Sequence, residues 1–171
     1  RDKLVLEFRR VLFRSGNIEQ VSQKKKLAFF YDENNSNALQ VAIQESNFAV
    51  AYWLAENEIC DANHQNIFGR TPLNDAIESQ DIDIVKMLIE HGAKIQRTTY
   101  QQDPVVQTVV LGNLEAAEYF KEIGVKYNFL LADGRNMIHT ATAVSQKDMV
   151  PFLVQSGCNI DALDHAGLRR F

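Results

Sequence analysis

A repeat about thirty-three residues long is the feature that most constrains how this chain can fold. Four apolar positions return at spacings of 34, 32 and 33 residues, namely Leu39, Leu73, Val105 and Ile138. Three glycines keep the same period at spacings of 32 and 33 residues, namely Gly92, Gly124 and Gly157. A period of this length, with a turn and two short helices in each unit, indicates a stacked solenoid in which each repeat contacts its neighbours.

The clearest copy of the repeat runs from Asn66 to Gln96 and reads NIFGRTPLNDAIESQDIDIVKMLIEHGAKIQ. Its order of turn, glycine, Thr-Pro-Leu, small residue, second helix and Gly-Ala resembles the ankyrin repeat. The resemblance implies an all-α solenoid of helix-turn-helix units with short turn hairpins. The predicted boundaries are a partial repeat at 16–31, full repeats at 32–65, 66–97, 98–130 and 131–163, and a partial repeat at 164–171.

Physical needs of the backbone support this register. Each tight turn needs a residue with positive φ, and Asn35, Gly69, Gly134 and Gly167 fall at that position. The first helices are expected to start after polar capping residues, namely Asn37, Thr71, Asp103 and Asn136. Glu58 takes the helix-ending position that glycine holds in the other repeats. Pro151 falls inside the last second helix, and we expect it to bend that helix or delay its start.

The first fifteen residues are expected to be foreign to the fold. Leu6 to Ser15, LEFRRVLFRS, resembles the translation of a common sequencing-adapter oligonucleotide. The alternative is a basic amphipathic arm that binds a membrane or nucleic acid. Both ends of the remaining chain look cut within a repeat, at Gly16 and at Asp164, so we expect uncapped ends that self-associate.

Net charge argues against nucleic acid as the partner. The chain carries −4 overall, and residues 1–15 contain five basic and two acidic residues, so residues 16–171 carry −7. An acidic body does not favour phosphate binding. No run approaches the ~20 apolar residues of a membrane helix. Cys60 and Cys158 lie too far apart in the repeat register for a disulfide, and free thiols favour a reducing, cytoplasmic compartment.

The sequence contains no motif for catalysis, a cofactor or a metal. No CxxC, HExxH or glycine-rich phosphate loop occurs. The resemblance gives His139 a structural role, in which its side chain bonds between neighbouring turns. Cys158 stands in a small buried position, where an inert thiol is expected. We therefore predict that the protein is not an enzyme.

The resemblance places partner binding on a concave face made by the turn tips and the inner side of the first helices. Ile67, Phe68 and Tyr100 are apolar or aromatic residues at tips where the repeat does not require them, so they are candidates for an interface. The alternative is that these side chains fold back over adjacent loops. The complete predicted site consists of Ile67, Phe68, Arg70, Asp75, Glu78, Tyr100, Gln102, Glu45 and Arg135.

Acidic residues lie beside these tips, at Glu45, Asp75 and Glu78. An acidic and apolar face suits a protein partner with basic and apolar residues. The predicted function is therefore a non-catalytic protein-interaction module. The alternative is a regulatory or targeting fragment of a larger enzyme, effector or channel.

Overall fold

The computed structural model of the protein describes residues 31–96 and 102–162. The predicted adapter-like segment at 1–15, the partial repeats at 16–31 and 164–171 and the turn residue Gly167 lie outside these ranges, except for Tyr31. Within them the regular structure is eight helices and two isolated antiparallel bridges, Tyr31 with Asn37 and Leu130 with Asn136. The helices are α1 Ala38–Gln44, α2 Phe48–Glu56, α3 Pro72–Ser79, α4 Ile82–Glu90, α5 Pro104–Leu111, α6 Leu114–Glu122, α7 Met137–Ala143 and α8 Met149–Gln155.

The chain divides into two compact units, one ending at Lys94 and the other beginning at Ile95. In the first unit, α1 packs on α2 of its own repeat and on α3 of the next, while α2 packs on α4. In the second unit, α5 packs on α6 and on α7, and α7 packs on α8. Each unit thus contains two helix pairs packed side by side, which is the arrangement that the period predicts.

The core of each unit forms where the paired helices meet. The small residue of each first helix is fully buried, at Ala42, Ala76, Thr108 and Ala141. Anchoring residues such as Leu39 and Leu73 are at most 1% exposed, and burying such a side chain contributes about 1.5–3 kcal/mol. In the second unit, the Thr108 hydroxyl lies 3.1 Å from that of buried Tyr127. Burial raises the pKa of Tyr127.

The second helices bury most, but not all, of their apolar side chains. Val50, Ala51 and Leu54 of α2 are fully buried, whereas Trp53 is half-buried. The backbone carbonyl of Trp53 accepts hydrogen bonds from the backbone N–H and the side-chain amide of Asn57, at 3.2 and 2.8 Å. Tyr119 and Val150 are also half-buried on their helices. The rings of Trp53 and Tyr119 therefore lie at the edge of the core, whereas Phe120 is fully buried.

Polar side chains cap the first helices as the sequence predicts. Thr71 accepts from the N–H of Asn74, whose side chain bonds back to the N–H of Thr71, and Pro72 begins the helix. This reciprocal arrangement satisfies two N–H groups that the helix itself leaves unpaired. The other first helices have side-chain caps at Asn37, Asp103 and Asn136.

Left-handed backbone recurs at three places in the repeat. The tips have it at Asn35, Gly69 and Gly134, and the ends of the second helices have it at Glu58, Gly92, Gly124 and Gly157. The third place, between the two helices of each repeat, is held by Ser46, Gln80, Gly112 and Ser145. The residues of the third place again lie 34, 32 and 33 positions apart.

Pro151 delays the start of the last helix, as predicted. Helix α6 begins at Leu114, so a period of 33 residues predicts that α8 begins at residue 147. It begins at Met149 instead. Asp148 before it makes no side-chain capping bond. Pro151 is then the third residue of the helix, where a missing N–H breaks no helical bond.

Candidate functional site

A groove of about 500 Å³ opens in the first unit, between the tips of two neighbouring repeats and their first helices. The residues of the tips that line it are Asn34, Ser36, Asn66, Phe68 and Arg70. The residues from α1 and the turn after it are Ile43, Gln44 and Ser46. The residues from α3 are Asp75, Glu78 and Ser79. Polar side chains therefore dominate the groove.

Two hydrogen-bonded turns form the tips and bring them together. Asp32 accepts from the N–H groups of Asn34 and Ser36 at 2.9 and 2.7 Å. Asn66 does the same for Phe68 and Arg70 at 3.0 and 3.1 Å. The N–H of Ile67 donates to the carbonyl of Asn34 at 2.9 Å, which joins the two tips. An Asp or Asn side chain commonly holds a turn in this way.

The apolar side chains at the second tip point into solvent. Ile67 is 63% exposed and Phe68 is 58% exposed. This exposure argues against the alternative in which these two side chains fold back over neighbouring loops. Only Phe68 lines the groove itself.

Arg70 joins the tip to α3 through two carboxylates. Its Nε and Nη2 groups donate to Oδ1 of Asp75 at 3.0 and 2.8 Å. Its Nη2 group also donates to Oε2 of Glu78. The carboxylate of Asp75 is almost fully buried, whereas the Glu78 side chain is 59% exposed. One guanidinium thus compensates part of the acidic charge that the sequence places on this face.

Asp75 is also the centre of a network that connects the two repeats. Its Oδ2 atom accepts from Nε2 of Gln44 at 3.0 Å and from Nε2 of Gln40 at 3.4 Å. Gln40 donates as well to the carbonyl of Arg70 at 2.9 Å. Burial raises the pKa of Asp75, although Arg70, Gln44 and Gln40 all oppose that rise by donating to it. The network fixes the floor of the groove.

The structure brings four of the predicted site residues into one place. Phe68, Arg70, Asp75 and Glu78 line the groove together. Glu45 is exposed just after α1 but is absent from the lining of the groove. Gln102 and Arg135 belong to the second unit, and Tyr100 lies outside the described residues.

Arg135 and its neighbours form a separate tip. The Nε group of Arg135 donates to Oδ2 of Asp133 at 2.6 Å, and Asp133 is largely exposed. Burial acts to raise the pKa of Asp133, but the hydrogen bonds and charge of Arg135 together outweigh it and lower that pKa. Exposed ion pairs of this kind contribute ~0–1 kcal/mol, so this tip is held mainly by its backbone bonds.

The repeat pattern puts Gln44 on the inner side of its first helix, but the bonds of Gln40 and Gln44 to Asp75 were not predicted. Gln44 is exposed on the inner side of α1, while Gln40 is fully buried one turn earlier. Both lie more than thirty residues from Asp75. Their spacing of four residues could have indicated a shared role, because it puts two amide side chains on one helix face.

His139, Cys60 and Cys158 are of the residue types that metal binding or nucleophilic catalysis uses, but their surroundings indicate structural roles. The Nδ1 atom of His139 lies 3.2 Å from the N–H of Asn136, whose side chain accepts from the N–H of His139. The predicted bond from His139 to a neighbouring turn is not seen, because Nε2 has no partner among the described residues. Burial raises the pKa of Cys60 and of Cys158 to about 11.

Within residues 31–96 and 102–162 no three His, Cys, Asp or Glu side chains are grouped so that they could hold a metal ion. Over the same residues no helix has the length and apolar character needed to cross a membrane.

Helix pairs at this period, with hydrogen-bonded tips before α1, α3 and α7, define a protein built of ankyrin repeats. A model of three ankyrin repeats matches residues 12–99, which is 88 of the 171 residues, and the chain belongs to this family. A solved ankyrin repeat domain of human ASB11 superposes with a TM-score of 0.72 at 24% identity, covering 88% of this chain and 71% of that one. The fold and family predicted from the sequence are confirmed.

Two curated relatives are much longer than the part of them that this chain matches. It is 26% identical over 98 residues to the putative ankyrin repeat protein FPV014 of Fowlpox virus. It is 24% identical over 124 residues to the transient receptor potential cation channel subfamily A member 1 homolog of Caenorhabditis elegans. These matches cover 57% and 72% of this chain, but only 22% and 10% of the two relatives.

Proposed function

We propose that the protein is a non-catalytic module that binds a partner protein in the groove of its first unit. Ankyrin repeats generally serve as protein-interaction modules. The observation that carries the proposal is the groove itself, which has Phe68 58% exposed at its edge. Exposed aromatic side chains beside a concave surface are typical of interface anchors.

The charges around the groove favour a partner with basic and apolar residues. Glu78 and Glu45 are exposed acids on this side of the unit. Arg70 compensates Asp75, so Glu78 and Glu45 supply the remaining negative charge. Charges at the edge of an interface mainly accelerate association and set its salt dependence. The free thiols Cys60 and Cys158 support our proposal that the module works in a reducing compartment.

Capture of partners from a matching lysate, followed by titration of variants, tests the proposal. Ile67→Ala and Phe68→Ala should each weaken binding by ~1–3 kcal/mol, the range for anchor residues. Both side chains are exposed, so the free energy of unfolding should stay within ~0.5 kcal/mol of its original value. Replacing Glu45 and Glu78 by Gln should slow association and flatten its salt dependence.

Matched controls come from α4, where Lys86 and Glu90 do not line the groove. Lys86→Ala and Glu90→Ala should leave the affinity unchanged. If these variants lose affinity while Ile67→Ala and Phe68→Ala keep it, the proposed binding face is wrong. Asp75→Gln is unsuitable as a charge variant, because Asp75 is buried and holds Arg70 and Gln44.

A second candidate is that the repeats act as a regulatory or targeting part of a larger enzyme, effector or channel. The observation that favours it is the small share of the two relatives that this chain spans, 22% and 10%. An uninterrupted genomic reading frame tests it. Further ankyrin repeats alone would favour a pure interaction protein, whereas a catalytic or channel domain would favour the regulatory function.

A further inference from the structure

The floor of the groove holds hydrogen-bonding groups that the protein leaves unused. Arg70 has five N–H groups, and its Nε and Nη2 atoms are bonded to Asp75 and Glu78. Its Nη1 atom has no partner among the described residues. Gln44 donates through Nε2 to Asp75, while its Oε1 atom accepts from no residue in 31–96 or 102–162. The groove thus presents an unused donor and an unused acceptor.

One buried carboxylate fixes both of these groups. Arg70 bonds Oδ1 of Asp75, and Gln44 bonds Oδ2 of the same side chain. Asp75 is 6% exposed, so it cannot itself contact a partner over much of its surface. Its effect is to orient Arg70 and Gln44 relative to each other before any partner arrives. Such preorganisation reduces the conformational entropy that is lost on binding.

The chemistry of the lining indicates what fits between these groups. Ligand sites for small molecules are lined mostly by apolar and aromatic side chains. Here Ile43 and Phe68 are the two apolar residues among eleven, and Ile43 is 1% exposed. A stretch of main chain offers a carbonyl and an N–H in each residue, which matches a donor and an acceptor held by the same carboxylate.

We propose that this groove binds an extended peptide segment of the partner and forms hydrogen bonds with its main chain. Arg70 donates through Nη1 to a peptide carbonyl, and Gln44 accepts a peptide N–H through Oε1. Phe68 packs against an apolar side chain of the segment. Glu78, more than half exposed, favours a basic side chain next to it. This inference rests on the proposed function, and it adds the form of the partner and the residues that read it.

The test begins with a display library of random linear peptides selected against the full chain. The best peptide is then made with each backbone amide in turn replaced by an ester, which removes one N–H group. We expect one ester position to weaken binding about three- to tenfold, the usual effect of one hydrogen bond. With Gln44→Ala the same ester should change the affinity less than about twofold, because the acceptor is already gone.

Gln65→Ala is the matched control, since Gln65 is exposed in the same unit but does not line the groove. It should preserve the full ester effect. Arg70→Lys keeps the charge but removes the Nη1 donor, so it should weaken peptide binding, whereas Arg135→Lys in the second unit should not. Thermal unfolding of each variant shows whether weaker binding comes from a lost contact or from an unfolded protein. Gln44 is exposed, so we expect Gln44→Ala to remain folded.

The inference is overturned if no linear peptide is enriched. It is also overturned if the ester scan is flat, or if Gln44→Ala leaves the ester effect intact. The proposed function survives those results when a captured folded partner still depends on Phe68. If the captured partner is indifferent to Phe68 as well, both the function and the inference fail.

Discussion

Glu58 and Gly92 stand at equivalent left-handed positions after α2 and α4, with φ of 50° and 87°. Apart from Gly92 and the residues on either side of it, nothing lies within 4 Å of the place where a Cβ would sit, so any cost of a side chain there comes from the backbone. We expect Gly92→Val to lower the free energy of unfolding by ~2–3 kcal/mol, because a β-branched residue disfavours positive φ. Urea unfolding measures this change.

Glu58→Gly is the matched variant, and it should be neutral or raise the free energy of unfolding by up to ~1 kcal/mol. Glycine relieves the left-handed strain that glutamate carries, although it also makes the unfolded chain more flexible. An equal loss from both substitutions would show that the two positions are not equivalent.

The two thiols should react slowly in the folded protein. Burial raises the pKa of both Cys60 and Cys158 to about 11, so at pH 8 only about one thiol in a thousand is a thiolate. A chromogenic disulfide reagent should therefore label the native chain slowly and label both thiols quickly in urea. Rapid labelling of either thiol in the native protein would contradict this expectation.

At the scale of helices, the caps of α3 and α8 differ in a testable way. Thr71 accepts a hydrogen bond from the first turn of α3, whereas Asp148 makes no side-chain bond to α8. Thr71→Ala should cost about 1 kcal/mol of unfolding free energy, the usual value of a capping bond. Asp148→Ala should cost close to nothing. Chemical unfolding of both variants measures the two losses of free energy. Similar losses would mean that the capping bond is not what stabilises α3.

The start of a helix could be predicted where the residue types there suit only the beginning of a helix. Thr71 with Pro72, and Asp103 with Pro104, combine a cap with a residue suited to the first turn, so both helix starts could be placed. The left-handed turns between paired helices were missed, because Ser46, Gln80 and Ser145 are not residues that require positive φ. Each of them lies between two helices that pack on each other, and no residue type marks that place in the sequence.

At the scale of the whole chain, the status of residues 1–15 remains a prediction. Their removal should leave the melting temperature within about one or two degrees, because a foreign segment has no evolved contacts with the core. Differential scanning calorimetry of the full and shortened chains measures this. The ankyrin match begins at residue 12, so a large loss on removing 1–15 but not 1–11 would assign residues 12–15 to a repeat.

The site was partly predictable from the repeat alone. The resemblance to the ankyrin repeat placed Phe68, Arg70, Asp75 and Glu78 on one face, and the structure gathers them around the groove. The sequence did not reveal that Asp75 is buried or that Arg70 already bonds both acids. The burial of Asp75 depends on contacts with Gln40 and Gln44 of the preceding repeat. Such contacts follow from packing between repeats and not from the repeat pattern itself.

Trp53 gives the molecule an intrinsic optical probe. It is the single tryptophan of the chain, and it lies half-buried on α2 in the unit that carries the groove. Excitation beyond the tyrosine absorption band will therefore detect that unit alone, while Tyr119 and Tyr127 of the other unit stay dark. Unfolding of the groove-bearing unit can be followed by emission without any label, and comparison with circular dichroism will show whether the remaining helices unfold at the same urea concentration.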